Sequence, residues 1–293
     1  MAPIAHSEFW LWVNSWLQAE VRIESAVLFG SSVRSVGSES GGGAISDFDL
    51  HIISACPAEL ESIDWGGLSG SRGFVFKAAR PATGGVRKVT VIFESGQIDL
   101  VLVSRKQMKL ARLAVWLGLH RRSTKLAAAL NEMATCLHSG YRFVKGIGCW
   151  GPWYAWVASH MPGVRLMPDE IRRLADSTLT DALWVLQKLE RGELIAAQHL
   201  LHRSLVETNL RLMREVRLRR CDPLESFGLG RKIESWATAE ELTWVRTSSP
   251  LERVALAGAC RGAVLALQCL MAKLDPSWMI PVRMAMALRL RAE

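Results

Sequence analysis

The stretch VLFGSSVRSVGSESGGGAISDFDLHIIS, Val27 to Ser54, runs from one apolar segment through a small-residue loop into another that carries two aspartates. SAVLF reads as a short buried strand that ends at Gly30. DFDLHII alternates and then continues apolar, as a strand with one wet and one buried face does. With a period of two, Asp47, Asp49 and His51 share one face while Phe48, Leu50 and Ile52 take the other. Two carboxylates so placed repel each other unless positive charge lies beside them. A divalent cation removes that cost, and Mg²⁺ in particular takes hard oxygen ligands, one or two carboxylates with substrate phosphates. On that ground His51 is expected to be a polar neighbour of the site and not a ligand. The preceding loop supplies complementary chemistry. Gly30, Ser31 and Ser32 follow a strand and lead into an expected helical turn through Val33 and Arg34. Glycine permits close backbone approach, N–H groups and serine hydroxyls hold phosphate oxygens, and Arg34 adds a positive charge.

Outward from this stretch, residues 7–20 place Phe9, Trp10, Val13, Trp16 and Leu17 at helical spacing, so an amphipathic helix is expected there. GFVFKAARP, RKVTVIFE and QIDLVLV, around residues 74–103, are separated by turn signals at Pro81, Gly84-Gly85 and Ser95-Gly96, and read as three strands, the last two a hairpin. Asp99 stands on the opposite face of its strand from Ile98, Leu100 and Leu102. If that strand pairs beside the one carrying Asp47 and Asp49, three carboxylates converge. Two metal ions about 3.5–4 Å apart would then clamp the attacking and leaving oxygens of an in-line displacement. Asp99 is also placed to take the proton from an attacking hydroxyl. From Arg105 onward the chain is rich in Leu, Ala, Arg and Glu with few β-branched runs. The expected architecture is α/β (α+β): a small mixed-sheet domain over residues 1–104 and a mostly helical domain over 105–293.

Gly-Ser, a loop, Asp-x-Asp on a strand and a later strand aspartate together resemble the DNA polymerase β-like nucleotidyltransferase superfamily. The resemblance implies a small mixed sheet flanked by helices, an NTP substrate with Mg²⁺, and Asp47, Asp49 and Asp99 as the metal-binding triad. Gly30, Ser31, Ser32 and Arg34 are then expected to hold the triphosphate, and Lys145 of GYRFVKGIG is either a basic residue reaching it from the helical part or a surface lysine. ATP is the expected NTP and Mn²⁺ the alternative ion. IFESGQIDLVLV and LWVLQKLERGELIAAQHLLHRSLVETNLRLM are further similar to stretches of aminoglycoside 6-adenylyltransferases and related antibiotic nucleotidyltransferases, in which the helical domain helps shape the acceptor site. Between Ser31 and Asp47 lie fifteen residues, more than is usual for the superfamily. The excess is the insert SVGSESGGGAIS, which a flexible loop accommodates at little thermodynamic cost.

The totals bound the partners. The 293 residues are 49% hydrophobic and 22% charged, as a folded globular chain is, and carry a net charge of +8. That charge favours a polyanionic partner, so a nucleotide or RNA is expected as acceptor ahead of an aminoglycoside, with protein AMPylation third. A catalytically silent nucleotide- or RNA-binding subunit is the reading from a different class. The run RLMREVRLRR, Arg211 to Arg220, is either a phosphate-binding face or a solvated one with acidic neighbours. Arg191 with Glu193, and Glu207, are helix-junction or helix-surface residues that also fall in the second resemblance. Trp150, Trp153 and Trp156 form the one tryptophan cluster that suggests stacking on a base. Six scattered cysteines without a C-x-x-C pair point to reduced thiols and a cytoplasmic setting. The N-terminus lacks a basic leader, and the most apolar segment, VALAGACRGAVLALQCLMAKL, is broken by Arg261 and Gln268. Neither a signal peptide nor a membrane partner is expected.

Overall fold

The computed structural model describes residues 2–30, 33, 47–69, 73–82, 85–220, 230, 233–247 and 249–290. The chain divides into two compact units, Met1–Val164 and Arg165–Glu293. In the first, α1 (Ala2–Ala19) is followed by β1 (Ile23–Phe29), β2 (Asp47–Ser54) and two short helices, α2 (Pro57–Glu61) and α3 (Trp65–Ser69). Then come β3 (Phe74–Pro81), β4 (Arg87–Phe93), β5 (Gly96–Ser104), α4 (Arg105–Trp116), α5 (Thr124–His138), β6 (Tyr141–Lys145) and α6 (Ile147–His160). The six strands form one mixed sheet in the order β3-β4-β5-β2-β1-β6. Only the central pair, β2 with β5, is parallel; the other four neighbouring pairs are antiparallel.

Alternation sorts the strands onto two cores. Phe48, Leu50 and Ile52 of β2, Ile98, Leu100 and Leu102 of β5, and Val89, Val91 and Phe93 of β4 pack with Phe9, Val13, Trp16 and Leu17 of α1. Each fully buried aliphatic side chain there contributes about 1.5–3 kcal/mol. On the opposite face, Val27, Ile53 and Val103 pack with Met108 of α4, Leu130, Ala134 and Leu137 of α5, and Trp150, Trp153, Tyr154 and Val157 of α6. Capping residues start the helices that build this second layer. The Ser104 hydroxyl accepts from the Lys106 N–H, and that of Ser123 from the Leu126 N–H.

The expected boundary at 104/105 falls inside the first unit. The chain leaves the sheet after β5, forms α4 and α5, and returns as β6 along the free edge of β1, where Phe143 pairs with Val27 and Tyr141 with Phe29. Residues 105–164 are therefore bound to the sheet, and GYRFVKGIG contributes a strand to the first unit. Two features hold that return. The Lys145 ammonium donates to the carbonyls of Leu17, Gln18 and Glu20 at 3.0–3.2 Å, capping the C-terminus of α1. Gly146, at φ 75°, lies so close to the Glu24 carbonyl that a Cβ would stand 2.3 Å from its oxygen.

The second unit is helical: α7 (Pro168–Glu190), α8 (Leu194–Leu200), α9 (Glu207–Arg219), α10 (Ile233–Trp236), α11 (Ala239–Thr243), α12 (Arg253–Leu274) and α13 (Val282–Leu290). By length and composition α12 is apolar enough to cross a membrane, yet half of its most apolar window is buried within the protein, where Leu256, Cys260, Leu267, Leu270 and Met271 pack against α7 and α9. The arginine run takes up most of α9, and Arg217, Arg219 and Arg220 have partners within the unit. Arg219 shares Glu215, which is 2% exposed, with Arg165. Arg220 shares Glu241 with Lys273. The Arg217 guanidinium lies 4.3 Å from the centre of the Trp236 ring. Arg191 and Lys188 both pair with Glu193, and Glu207 is exposed in the first turn of α9.

Candidate active site

The parallel register of β2 and β5 sets Asp49 beside Asp99, with Asp47 two residues earlier on the same face. Paired residues of neighbouring strands project to one side across a spacing of about 4.8 Å. One carboxylate oxygen from each of Asp47, Asp49 and Asp99 lies within 4.8 Å of the others. Asp99 is only 3% exposed, whereas Asp47 and Asp49 are half-buried. A buried carboxylate requires partners, and β4 provides them. Thr90, the register partner of Asp99, donates its hydroxyl to Asp99 Oδ1 at 2.5 Å. Lys88 Nζ lies 2.6 Å from Asp99 Oδ2 and 3.7 Å from Asp49 Oδ1. Among the described residues, the ion pairs to these three carboxylates come from one ammonium, that of Lys88. The cluster's donors are all hard oxygens at half-buried or buried positions, a set that fits Mg²⁺ or Mn²⁺.

Gly30 ends β1 at φ 85°, a conformation glycine adopts without penalty. A Cβ there would stand 2.9 Å from Asp49 Oδ2. The missing side chain therefore brings the backbone after β1 against the carboxylates. Ser31, Ser32 and Arg34 lie outside the described residues, as does the SVGSESGGGAIS insert. Lys145 is engaged by the carbonyls of α1. His51 shares the triad face but has its own partner: its Nδ1 and the Tyr154 hydroxyl are hydrogen-bonded to each other. Enclosure of the ring pushes the His51 pKa down to about 4 and pushes the Tyr154 hydroxyl well above its usual range. Cys136 on α5 is pushed up to about 11, chiefly by burial and then by the charges of Asp49 and Glu132. Trp150 and Trp153 are buried in the core, with Trp150 Nε1 donating to Glu24 at 3.2 Å, and Trp156 stacks between Trp153 and His160.

Sequence reasoning missed Lys88 and Thr90. The signal for them was present in RKVTVIF, where Lys88 and Thr90 alternate with Val89 and Val91. Parity alone puts the polar pair on one face; that this face adjoins Asp99 depends on β4 pairing with β5 in the observed register.

No protein-family profile matches the chain, and no curated protein sequence does. Solved structures do. An aminoglycoside 6-adenyltransferase from Bacillus subtilis aligns over 98% of this chain and 95% of its own, with a TM-score of 0.43 at 10% identity. A nucleotidyltransferase-like protein from Exiguobacterium sibiricum 255-15 aligns over 90% of this chain and 75% of its own, with a TM-score of 0.33 at 10% identity.

Proposed function

We propose that the first unit is a divalent-metal-dependent nucleotidyltransferase that moves an NMP from an NTP, ATP as the reference substrate, to an acceptor hydroxyl with release of pyrophosphate. The observation that carries this reading is the register of β2 against β5, which gathers Asp47, Asp49 and Asp99 on one sheet face. These three would hold Mg²⁺, which when bound neutralises phosphate charge around the reacting phosphorus. Glycine at position 30 lets the end of β1 lie against Asp49 without a clash, so a phosphate held by that backbone would sit beside the carboxylates. Thr90 and Lys88 hold the Asp99 carboxylate in place, where it accepts the proton of the attacking hydroxyl. The hydroxyl oxygen bonds to the α-phosphorus as the bridge to the β-phosphate breaks. Most of the rate gain in such a site comes from positioning and charge neutralisation.

The test is incubation of the protein with each α-³²P-labelled NTP and Mg²⁺, without acceptor, with total RNA, and with a streptomycin-type aminoglycoside. Asp47→Ala/Asp49→Ala protein is the control. Labelled product above the control in any arm supports nucleotidyl transfer and names the acceptor class. NTP binding without label in any arm, including the neutral acceptors named below, makes the chain a silent nucleotide-binding subunit.

A further inference from the structure

We infer that the acceptor is a neutral, largely apolar small molecule bearing a hydroxyl, seated in a cavity on the triad face of the sheet; this rests on the nucleotidyltransferase reading above. The sheet and helices α4, α5 and α6 enclose a space of about 400 Å³. That is the size of a site for one small organic molecule. His51 and Val101, register partners, form its floor one alternation beyond Asp49 and Asp99, so they lie about 7 Å along the strands from the carboxylates. Met108, Met133 and Tyr154 cover it from the helices.

Direction along the strands assigns the cavity to the acceptor. Phe29 pairs with Asp49 in antiparallel register, so Gly30 lies toward Asp47 while His51 and Val103 lie the other way. The Gly30 backbone stands level with Phe48, between Asp47 and Asp49, and the cavity runs from Phe29 away from it through His51 and Val103, so the two approach the carboxylates from different directions along the strands. An in-line displacement needs that arrangement, with pyrophosphate leaving on one side and the acceptor attacking from the other. The new bond is acceptor oxygen to α-phosphorus, the broken one is the α–β phosphate bridge, pyrophosphate takes the electron pair, and the hydroxyl proton passes to Asp99.

The lining sets the acceptor's polarity. Among the described lining residues there is no lysine or arginine, and the single carboxylate is Glu132. A phosphate backbone requires cationic partners, and a polycation buried against Val, Leu and Met loses hydration that one carboxylate does not replace. A neutral apolar body meets neither penalty.

The full-length protein is titrated with 2-naphthol and 4-phenylphenol, neutral hydroxylated probes, while the methionine methyl groups are followed by NMR. Selective shifts of the Met108 and Met133 methyls are expected, unchanged in Asp47→Ala/Asp49→Ala and unaffected by ATP. Ala129→Phe, which fills the cavity, should weaken probe binding by about tenfold or more. With ATP and Mg²⁺ the native protein should place label on a probe. If neither probe moves either methyl, or if ATP displaces a probe from them, the acceptor cavity is refuted, even where label reaches RNA and the catalytic reading stands. Methyl shifts with no label in any arm leave the cavity a ligand site and overturn the transferase reading instead.

Discussion

Replacing Lys88 by methionine keeps the length and apolar stem of the side chain and removes the ammonium between Asp49 and Asp99. Breaking a buried ion pair by deleting one partner costs about 3–5 kcal/mol, because the remaining charge is left without compensation. Lys88 is partly exposed, and Thr90 still donates to Asp99 after the change, so the lower end, about 3 kcal/mol, is the expected loss. For a unit of this size that is a fall in melting temperature of roughly 6–12 °C. A bound cation acts in the opposite direction. In the native protein a metal bound to Asp49 and Asp99 must displace the ammonium, whereas in Lys88→Met it enters a cluster with one positive charge fewer. Scanning calorimetry of both proteins, in chelator and in excess Mg²⁺, measures the two effects separately. At about a hundred times the dissociation constant, binding contributes about 2.7 kcal/mol, so most of the variant's deficit should be restored by Mg²⁺. A variant as stable as the native protein in chelator, or one whose melting temperature responds to Mg²⁺ no more than the native protein's, refutes the assigned role of Lys88.

Thr90→Val removes the hydroxyl bound to a buried carboxylate and should cost about 1.5–3 kcal/mol in urea unfolding. Gly30→Ala forces a side chain into a positive-φ position 2.9 Å from Asp49 Oδ2; a stability loss of about 1–2 kcal/mol, together with weaker Mg²⁺ binding in a calorimetric titration, is expected. Gly146→Ala adds a clash with the Glu24 carbonyl oxygen, a rigid backbone atom; its cost should exceed that of Gly30→Ala, by denaturant midpoint. In the second unit, the hydrogen bond from Arg172 first, and then Ser277, lowers the Asp275 pKa from 3.8 to about 2. A depressed carboxyl pKa contributes stability that is complete above the unfolded value and is lost as pH falls through the folded one. Melting of the native protein should therefore fall more steeply than that of Asp275→Asn between pH 3.8 and about 2.

What was legible in the sequence was local in origin. The alternation of DFDLHII assigns Asp47 and Asp49 to one face without reference to anything distant, and the same holds for Asp99 within QIDLVLV. That the two faces meet required β2 to pair with β5, a condition stated from the sequence and met by the fold. Tyr141–Lys145 escaped notice as a strand because five residues between two helices carry little pattern of their own; they are a strand because β1 has an open edge for them. The same return explains why Lys145 caps α1. The arginine run shows the opposite failure. Five positive charges in ten residues read alike whether their partners are phosphates or carboxylates such as Glu215, within the run, and Glu241, beyond it in the chain. The cavity was hidden for a similar reason, since Met108, Met133 and Leu130 have the spacing of core residues whether or not they enclose a space.

A chain of net charge +8 gathers three carboxylates at one place, so the site's specificity has to be argued from where the core places charged groups. Asp49 and Asp99 meet only in one register. A slip of β5 by one residue would turn Asp99, Val101 and Val103 to the α1 face and Ile98, Leu100 and Leu102 toward the helices α4–α6. That slip is forbidden by the apolar residues, because Leu50, Ile52, Ile98 and Leu100 are fully buried against α1 and its neighbours. The electrostatic cost of gathering three carboxylates is offset in part by Lys88 and Thr90, and the gathering itself is imposed by hydrophobic burial on the other side of the same strands. Substitutions on the α1 face that loosen this packing should therefore weaken cation binding at a site they do not touch.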